Sequence, residues 1–162
     1  MILVDPWRAV TGLGNFFLWM ALGFALDWYG SRAGRRLALA SLLSFLLAVS
    51  LKYVLRMPRP SLEGVEDPYG FPSVHSTSAF AGASVLALGD RRLAPLLALA
   101  CLVAWSRVEL GVHYPRDVVG GAALGLAIAL AVRSLGPRGT RALALALLAL
   151  AVYLWRGRGS SA

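Results

Sequence analysis

Residues 35–55 read RRLALASLLSFLLAVSLKYVL, and this stretch decides the fold class. No charged residue lies between Arg36 and Lys52, and most of the side chains between them are aliphatic or small. An α-helix rises about 1.5 Å per residue, so roughly 20 mostly apolar residues cross the hydrocarbon core of a bilayer. The stretch therefore predicts a transmembrane helix whose ends are marked by basic residues.

The rest of the chain repeats this pattern. Of the 162 residues, 58% are hydrophobic and 15% are charged, whereas soluble domains average about 25% charged residues. We predict an all-α integral membrane bundle of about six transmembrane helices, which makes residues 1–162 a single transmembrane domain. The predicted spans are residues 9–29, 35–55, 73–89, 91–108, 118–135 and 139–155, after a short interfacial segment at 1–8. In the fifth span, Gly121 and Gly125 predict a close approach to a neighbouring helix.

The basic charge of the chain is spread among the gaps between apolar runs. The formal net charge is +8, from fifteen arginines and one lysine against eight acidic residues. Arginines placed in this way are typical of flanks that contact anionic lipid headgroups, whereas nucleic-acid-binding proteins cluster them on one face. The lone Cys101 supports neither an internal disulfide nor a zinc site, and the start of the chain lacks the features of a removable signal peptide.

The gaps between spans predict the topology. Two gaps, 56–72 and 109–117, hold both charge signs and fall on one side of the membrane, whereas the other gaps are short and mainly basic. The side with short gaps carries eight basic residues: Arg32, Arg35, Arg36, Arg91, Arg92, Arg133, Arg138 and Arg141. The other side also carries eight: Arg8, Lys52, Arg56, Arg59, Arg107, Arg116, Arg156 and Arg158. If Lys52, Arg59 and Arg107 serve chemistry, five remain, so the short gaps are expected in the cytoplasm and the mixed gaps on the outer face of the plasma membrane.

Polar residues on this predicted outer side form three clusters. They are Lys52 with Arg59, Ser73 with His75, and Arg107 with His113 and Asp117. Taken singly, each has a structural interpretation: Lys52 as an interfacial lysine, Ser73 and Asp117 as helix N-caps, and the histidines as ordinary loop or buried residues. Because ionisable groups near hydrocarbon are costly, their joint placement on one side favours a functional site.

The spacing of these residues carries a family resemblance. The chain contains Lys-x6-Arg-Pro at 52–60, Pro-Ser-x-His at 72–75 and Ser-Arg-x5-His-x3-Asp at 106–117. In this order the three motifs resemble the type 2 phosphatidic acid phosphatase family, with one departure, since Val74 stands where the family usually has glycine. The resemblance covers the motif core, 52–117, and is highly specific because all three motifs occur together.

The resemblance implies a role for each motif residue. Those implied to bind the substrate phosphate are Lys52, Arg59, Ser73, Val74 and Arg107. His113 is implied to attack phosphorus and form a phosphohistidine, with Asp117 holding its other ring N–H. His75 is implied to act as general acid toward the leaving oxygen and then as base for water. No metal or cofactor is expected.

The expected substrate is a membrane lipid phosphate or pyrophosphate. Candidates implied by the family are undecaprenyl pyrophosphate, phosphatidylglycerol phosphate and phosphatidic acid. Two alternatives remain open from the sequence. A lipid phosphotransferase would use the same phosphohistidine but pass the phosphoryl group to another acceptor. A non-enzymatic anion or lipid transporter would use the basic pocket only for binding, and it gives no reason for His113 and Asp117 beside three cations.

Overall fold

The structure is a computed structural model that describes residues 5–61, 67–136 and 138–147. The described residues form helices joined by short turns, with one isolated antiparallel bridge between Pro58 and Tyr69. The helices are α1 (Pro6–Gly12), α2 (Phe16–Trp28), α3 (Arg32–Leu55), α4 (Val74–Gly89), α5 (Leu96–Glu109), α6 (Pro115–Ser134) and α7 (138–147), with a 3₁₀ turn at Arg91–Leu93. The all-α class predicted from the sequence is confirmed.

The predicted spans correspond to helices of unequal length. In the described parts of the chain, α3 and α6 are long and apolar enough to cross a membrane, and the pair α1 and α2 is a third candidate if its 44° bend lies within one span. The predicted spans 73–89 and 91–108 correspond to α4 and α5, which have 16 and 14 residues and are shorter than the roughly 20 that a full crossing takes. Of the predicted span 139–155, the part beyond 147 lies outside the described residues, as do residues 1–4.

The predicted first span, 9–29, is broken into α1 and α2. The break is the segment Leu13–Asn15. It follows Gly12, contains Gly14 and ends on the capping residue Asn15. The side chain of Asn15 accepts a hydrogen bond from the N–H of Phe17 at 2.9 Å and so starts α2 anew. An asparagine that caps a helix satisfies an N–H that would otherwise need a preceding turn. A hydropathy pattern alone does not show this break, because both pieces are apolar.

Small residues let α4 lie at the centre of the bundle. Its buried residues include Ala79, Ala81 and Gly82, and the indole of Trp19 from α2 packs directly on Gly82. On the opposite side, α6 meets α4 through Gly121 and Gly125, as their spacing predicts. A Cβ on Gly121 would lie only 2.7 Å from the carbonyl oxygen of Ser73. This close approach fixes the start of α4 against the second turn of α6.

Substitution of Gly125 by alanine is expected to destabilise the fold. A Cβ there would lie 2.8 Å from the backbone nitrogen of Ala81 and 2.9 Å from the Cβ of Phe80, so α4 and α6 would have to separate. Alanine favours a helix by about 1 kcal/mol over glycine, but overpacking a tight contact costs about 1–3 kcal/mol. We expect a lower midpoint of thermal unfolding in detergent, followed by circular dichroism.

The matched control for this change is Gly89→Ala. Gly89 is also helical and has open space where a Cβ would lie. Its substitution is expected to leave the unfolding midpoint unchanged or slightly raised, because only helix propensity changes. Equal midpoints for Gly125→Ala and Gly89→Ala would contradict the close contact between α4 and α6.

Candidate active site

The residues of the candidate site lie at helix ends on one side of the bundle. Lys52 is in the last turn of α3, Arg107 is in the last turn of α5, and Asp117 is in the first turn of α6. The chain leaves α3 through Arg56, whose φ of 50° is left-handed and reverses its direction. The antiparallel bridge between Pro58 and Tyr69 then returns the chain toward α4, and His75 follows in the first turn of that helix.

Arg59 contacts His113 directly. Its Nη1 lies 2.8 Å from Nε2 of His113 and also donates to the carbonyl oxygen of Val112 at 3.0 Å. A guanidinium has donors only, so Nε2 must be the accepting, unprotonated nitrogen of the ring. In the neutral imidazole the proton is therefore on Nδ1. This contact joins the first and third motif clusters across 54 residues of sequence.

Asp117 faces the other nitrogen of the same ring. Its Oδ2 lies 3.4 Å from Nδ1 of His113 and accepts a hydrogen bond from the N–H of Tyr114 at 2.9 Å. Among the described residues Nδ1 has no hydrogen-bond partner, so the carboxylate is near the ring but not bonded to it. The carbonyl oxygen of Asp117 accepts from the N–H of Ser73 at 3.0 Å, which ties α6 to the start of α4. The N-cap of α6 is Tyr114, and Asp117 is the third helical residue. Its carboxylate thus stabilises the helix start and lies beside the imidazole at once.

The pKa of His113 is lowered from its ordinary value. Burial disfavours the imidazolium, and the positive charges of Arg59, Arg107 and Lys52 act in the same direction, with a smaller contribution from His75. A lowered pKa keeps the ring neutral through mildly acidic pH. A neutral ring with an unprotonated Nε2 is the form that can act as a nucleophile once Arg59 releases this nitrogen.

Asp67 is a member of this cluster that the sequence analysis missed. Its Oδ2 accepts from Nζ of Lys52 at 2.5 Å and from Nη2 of Arg59 at 3.2 Å. Its Oδ1 accepts from the N–H of Tyr69 at 3.0 Å. Burial raises the pKa of Asp67, but the hydrogen bonds from Lys52 and the N–H of Tyr69, together with the charges of Lys52 and Arg59, bring it below its ordinary value. The mixed charge of the gap 56–72 was the one signal in the sequence that pointed toward it.

Arg107 and His75 are the remaining members of the candidate site, and both lie next to α1 and the break that follows it. Nη1 of Arg107 donates to Oγ1 of Thr11 at 2.9 Å, and its Nε is buried with no hydrogen-bond partner among the described residues. His75 lies within electrostatic range of Arg107, Lys52 and Arg59. A Cβ on Gly14 would lie 3.1 Å from the Cβ of His75, so the break between α1 and α2 covers this histidine closely. Neither Thr11 nor Gly14 was predicted from the sequence.

Ser73 and Val74 form the start of α4. The side chain of Ser73 is buried and accepts from the N–H of Ser76 at 3.4 Å, so this serine is the N-cap. Val74 follows as the first helical residue and is partly buried. The first N–H groups of a helix have no partner within it, and they attract anions. Among the described residues, no three histidine, cysteine or acidic side chains are grouped as a metal ion would require.

The helical fold and the cluster of cations around a histidine are those of a phosphatase family with membrane members. The chain belongs to the PAP2 superfamily, whose family model matches residues 33–141.

Three known proteins with related sequences or folds are named as phosphatases. A decaprenylphosphoryl-5-phosphoribose phosphatase of Mycolicibacterium smegmatis is 38% identical over 130 residues, covering 70% of this chain and 68% of that protein. An undecaprenyl-diphosphatase of Sulfolobus acidocaldarius is 34% identical over 105 residues, covering 56% of this chain and 51% of that protein. The crystal structure of a transmembrane PAP2-type phosphatidylglycerolphosphate phosphatase from Bacillus subtilis superposes with a TM-score of 0.64 at 27% identity, covering 85% of this chain and 80% of that one.

Proposed function

We propose that this protein hydrolyses the phosphomonoester or diphosphate of a membrane lipid through a phosphohistidine at His113. The observation that carries the proposal is the contact of Arg59 with Nε2 of His113. Arg59 donates to the unprotonated Nε2 and so places it among the cations, and Oδ2 of Asp117 lies 3.4 Å from Nδ1 without a hydrogen bond between them. For attack, Arg59 transfers its hydrogen bond from Nε2 to the incoming phosphate. The site thus brings together a nucleophile, His113, a carboxylate beside it, Asp117, and a set of cations that can bind an anion.

The cations make the phosphate open to attack. Lys52, Arg59 and Arg107 supply three positive charges, and guanidinium groups match phosphate oxygens in geometry. The N–H of Val74 and the hydroxyl of Ser73 add donors at the start of α4. Charge that develops on the equatorial oxygens of the transferring phosphoryl group is stabilised by such fixed donors. Val74 offers the same N–H as the usual glycine but adds bulk, which narrows the space around the phosphate.

The reaction then proceeds in two displacements. Nε2 of His113 forms a bond to phosphorus while the bond from phosphorus to the lipid oxygen breaks, and His75, starting as the imidazolium, gives that oxygen a proton. Asp117 offsets the positive charge that the ring gains. Water next attacks the phosphohistidine, His75 takes its proton, and inorganic phosphate leaves with His113 restored.

The substrate class follows from the position of the cluster at helix ends. The phosphate of a lipid headgroup can bind there while the acyl or prenyl tail of the same lipid stays in the bilayer. The similar proteins act on phosphates carried by polyprenyl and glycerol lipids according to their names. Undecaprenyl pyrophosphate, phosphatidylglycerol phosphate and phosphatidic acid are therefore the substrates to test.

The opposite end of the bundle supports a plasma-membrane location with the site on the outer face. Between Arg36 and Lys52, α3 covers about 24 Å. A cleft of about 450 Å³ opens at the far end, lined largely by Arg32, Arg35, Arg36, Arg138 and Arg141. Positive charge of this density is typical of the cytoplasmic side of membrane proteins.

A panel of lipid phosphates tests the function and its independence of metal. The purified protein is expected to release inorganic phosphate from at least one of the three candidate lipids. A chelator should change the rate by less than about twofold, because the proposed mechanism uses no metal. An enzyme with a catalytic metal would lose several kcal/mol of transition-state stabilisation when the metal is removed. Absence of phosphate release from every lipid would refute the proposed hydrolysis. Loss of activity with chelator would refute the metal-free mechanism.

A further inference from the structure

We propose that Asp67 is an internal counter-anion that occupies the phosphate-binding cations when no substrate is present. In this role it determines specificity, because an incoming headgroup must carry enough negative charge to displace it. The inference rests on the proposed function, since it takes Lys52 and Arg59 as the groups that bind the substrate phosphate.

The geometry of the carboxylate matches that of a bound phosphate oxygen. One oxygen, Oδ2, accepts hydrogen bonds from both Lys52 and Arg59, at 2.5 and 3.2 Å. A phosphate oxygen would use the same two donors. The side chains of Lys52 and Arg59 are 3% and 5% exposed, whereas that of Asp67 is 30% exposed. The carboxylate therefore lies at the mouth of the site and can leave while the cations stay buried.

Main-chain contacts hold the two cations in place without the carboxylate. Nζ of Lys52 also donates to the carbonyl oxygen of Tyr69 at 2.9 Å. Arg59 donates through Nε to the carbonyl oxygen of Asp67 at 2.7 Å and through Nη1 to that of Val112 at 3.0 Å. These bonds remain when the side chain of Asp67 turns away. The carboxylate is thus placed to compete with phosphate, and the backbone is what positions the cations.

The charge of the ligand decides the outcome of this competition. A bilayer presents a dense layer of phosphodiester headgroups, each with one negative charge, beside a cluster of buried cations. A single charge offers little advantage over the single charge of Asp67. A phosphomonoester carries close to two charges at neutral pH, since its second pKa is about 6. The internal carboxylate therefore keeps bulk phospholipid out and admits a terminal phosphate or diphosphate.

The test compares wild-type protein with Asp67→Asn, which removes the charge at nearly constant shape. Binding of inorganic phosphate is measured by calorimetry, and inhibition of turnover is measured with phosphatidylglycerol in mixed micelles. We expect the Kd for phosphate to fall about three- to tenfold. In the wild-type protein, phosphate binds only to the fraction of molecules in which the Asp67 carboxylate has left the cations, and Asp67→Asn raises that fraction. The inhibition constant of phosphatidylglycerol should fall, so that it changes from a weak competitive inhibitor to a strong one. Unchanged or weaker phosphate binding would overturn the proposal and assign Asp67 to holding the cations.

Two further variants keep the comparison decisive. Asp27→Asn removes one carboxylate at the other end of the bundle, where Asp27 pairs with Arg35 at 3.0 Å, and should leave both readouts unchanged. If Asp67→Asn does not fold, Asp67→Ser removes the charge and keeps an oxygen for the N–H of Tyr69. Phosphate binding does not depend on turnover. A protein that hydrolyses no lipid but still shows the shift in Kd would refute the proposed function and leave the counter-anion in place.

Discussion

Replacement of His113 by alanine is expected to abolish phosphate release from every lipid that the wild-type protein hydrolyses. Loss of a nucleophile that forms a covalent intermediate lowers kcat by about 10⁴-fold or more in well-studied enzymes. Here Nε2 is the one ring nitrogen that faces the cations, and Asp117 lies on its other side.

Substrate binding is expected to survive the same change. Lys52, Arg59 and Arg107 remain, and Arg59 keeps its bonds to the carbonyl oxygens of Asp67 and Val112. Lipid binding by His113→Ala in detergent therefore shows that the variant is folded and that chemistry alone is lost. The matched control is Glu109→Ala, an exposed residue near the start of the same loop, which should keep wild-type turnover.

Labelled substrate separates the covalent mechanism from direct attack by water. Wild-type protein mixed with lipid carrying radioactive phosphate and quenched with alkali should retain label on the chain, because phosphohistidine is stable to base. His113→Ala should retain none. Turnover by His113→Ala at more than about one hundredth of the wild-type rate would contradict a nucleophilic role, given the size of the loss expected for covalent catalysis.

The sequence predicted those parts of the molecule that repeat or that form a motif. Hydropathy predicted α3 and α6 because each is a continuous apolar run near bilayer length. The motif spacing predicted that residues distant in sequence would meet, and the contact between Arg59 and His113 is the direct link between two of the motifs. These features leave a signal in the order of residues alone.

Other contacts of the site leave no such signal. Asp67 reaches Lys52 and Arg59 because an isolated bridge between Pro58 and Tyr69 turns the chain back, and a single bridge has no periodic pattern. Thr11 reaches Arg107 across 96 residues because α1 breaks from α2 at a local cap. Both contacts depend on how short segments pack on a finished bundle. Neither apolar periodicity nor motif order predicts these contacts, because both depend on the tertiary structure.

Asp117→Asn is expected to lower kcat roughly 10²- to 10³-fold, the range seen when one fixed group that stabilises transition-state charge is removed. The amide oxygen of asparagine can still accept the N–H of Tyr114, so the start of α6 should remain intact. What is lost is the negative charge 3.4 Å from Nδ1 of His113. That charge is needed most when the ring becomes positive on bonding to phosphorus, so KM should change little while the rate of phosphohistidine formation falls.

Rapid-quench measurement of the first turnover locates this effect. In Asp117→Asn the label should appear on the protein slowly, and the same loss should be seen in kcat. The control is Asp27→Asn, which removes an equal charge far from the site and should leave the first turnover at the wild-type rate. If Asp117→Asn raised KM and left kcat unchanged, the carboxylate would act on substrate binding through the start of α4, which its carbonyl oxygen holds through the N–H of Ser73. The predicted division between kcat and KM therefore tests whether Asp117 stabilises a charged ring or only the architecture around it.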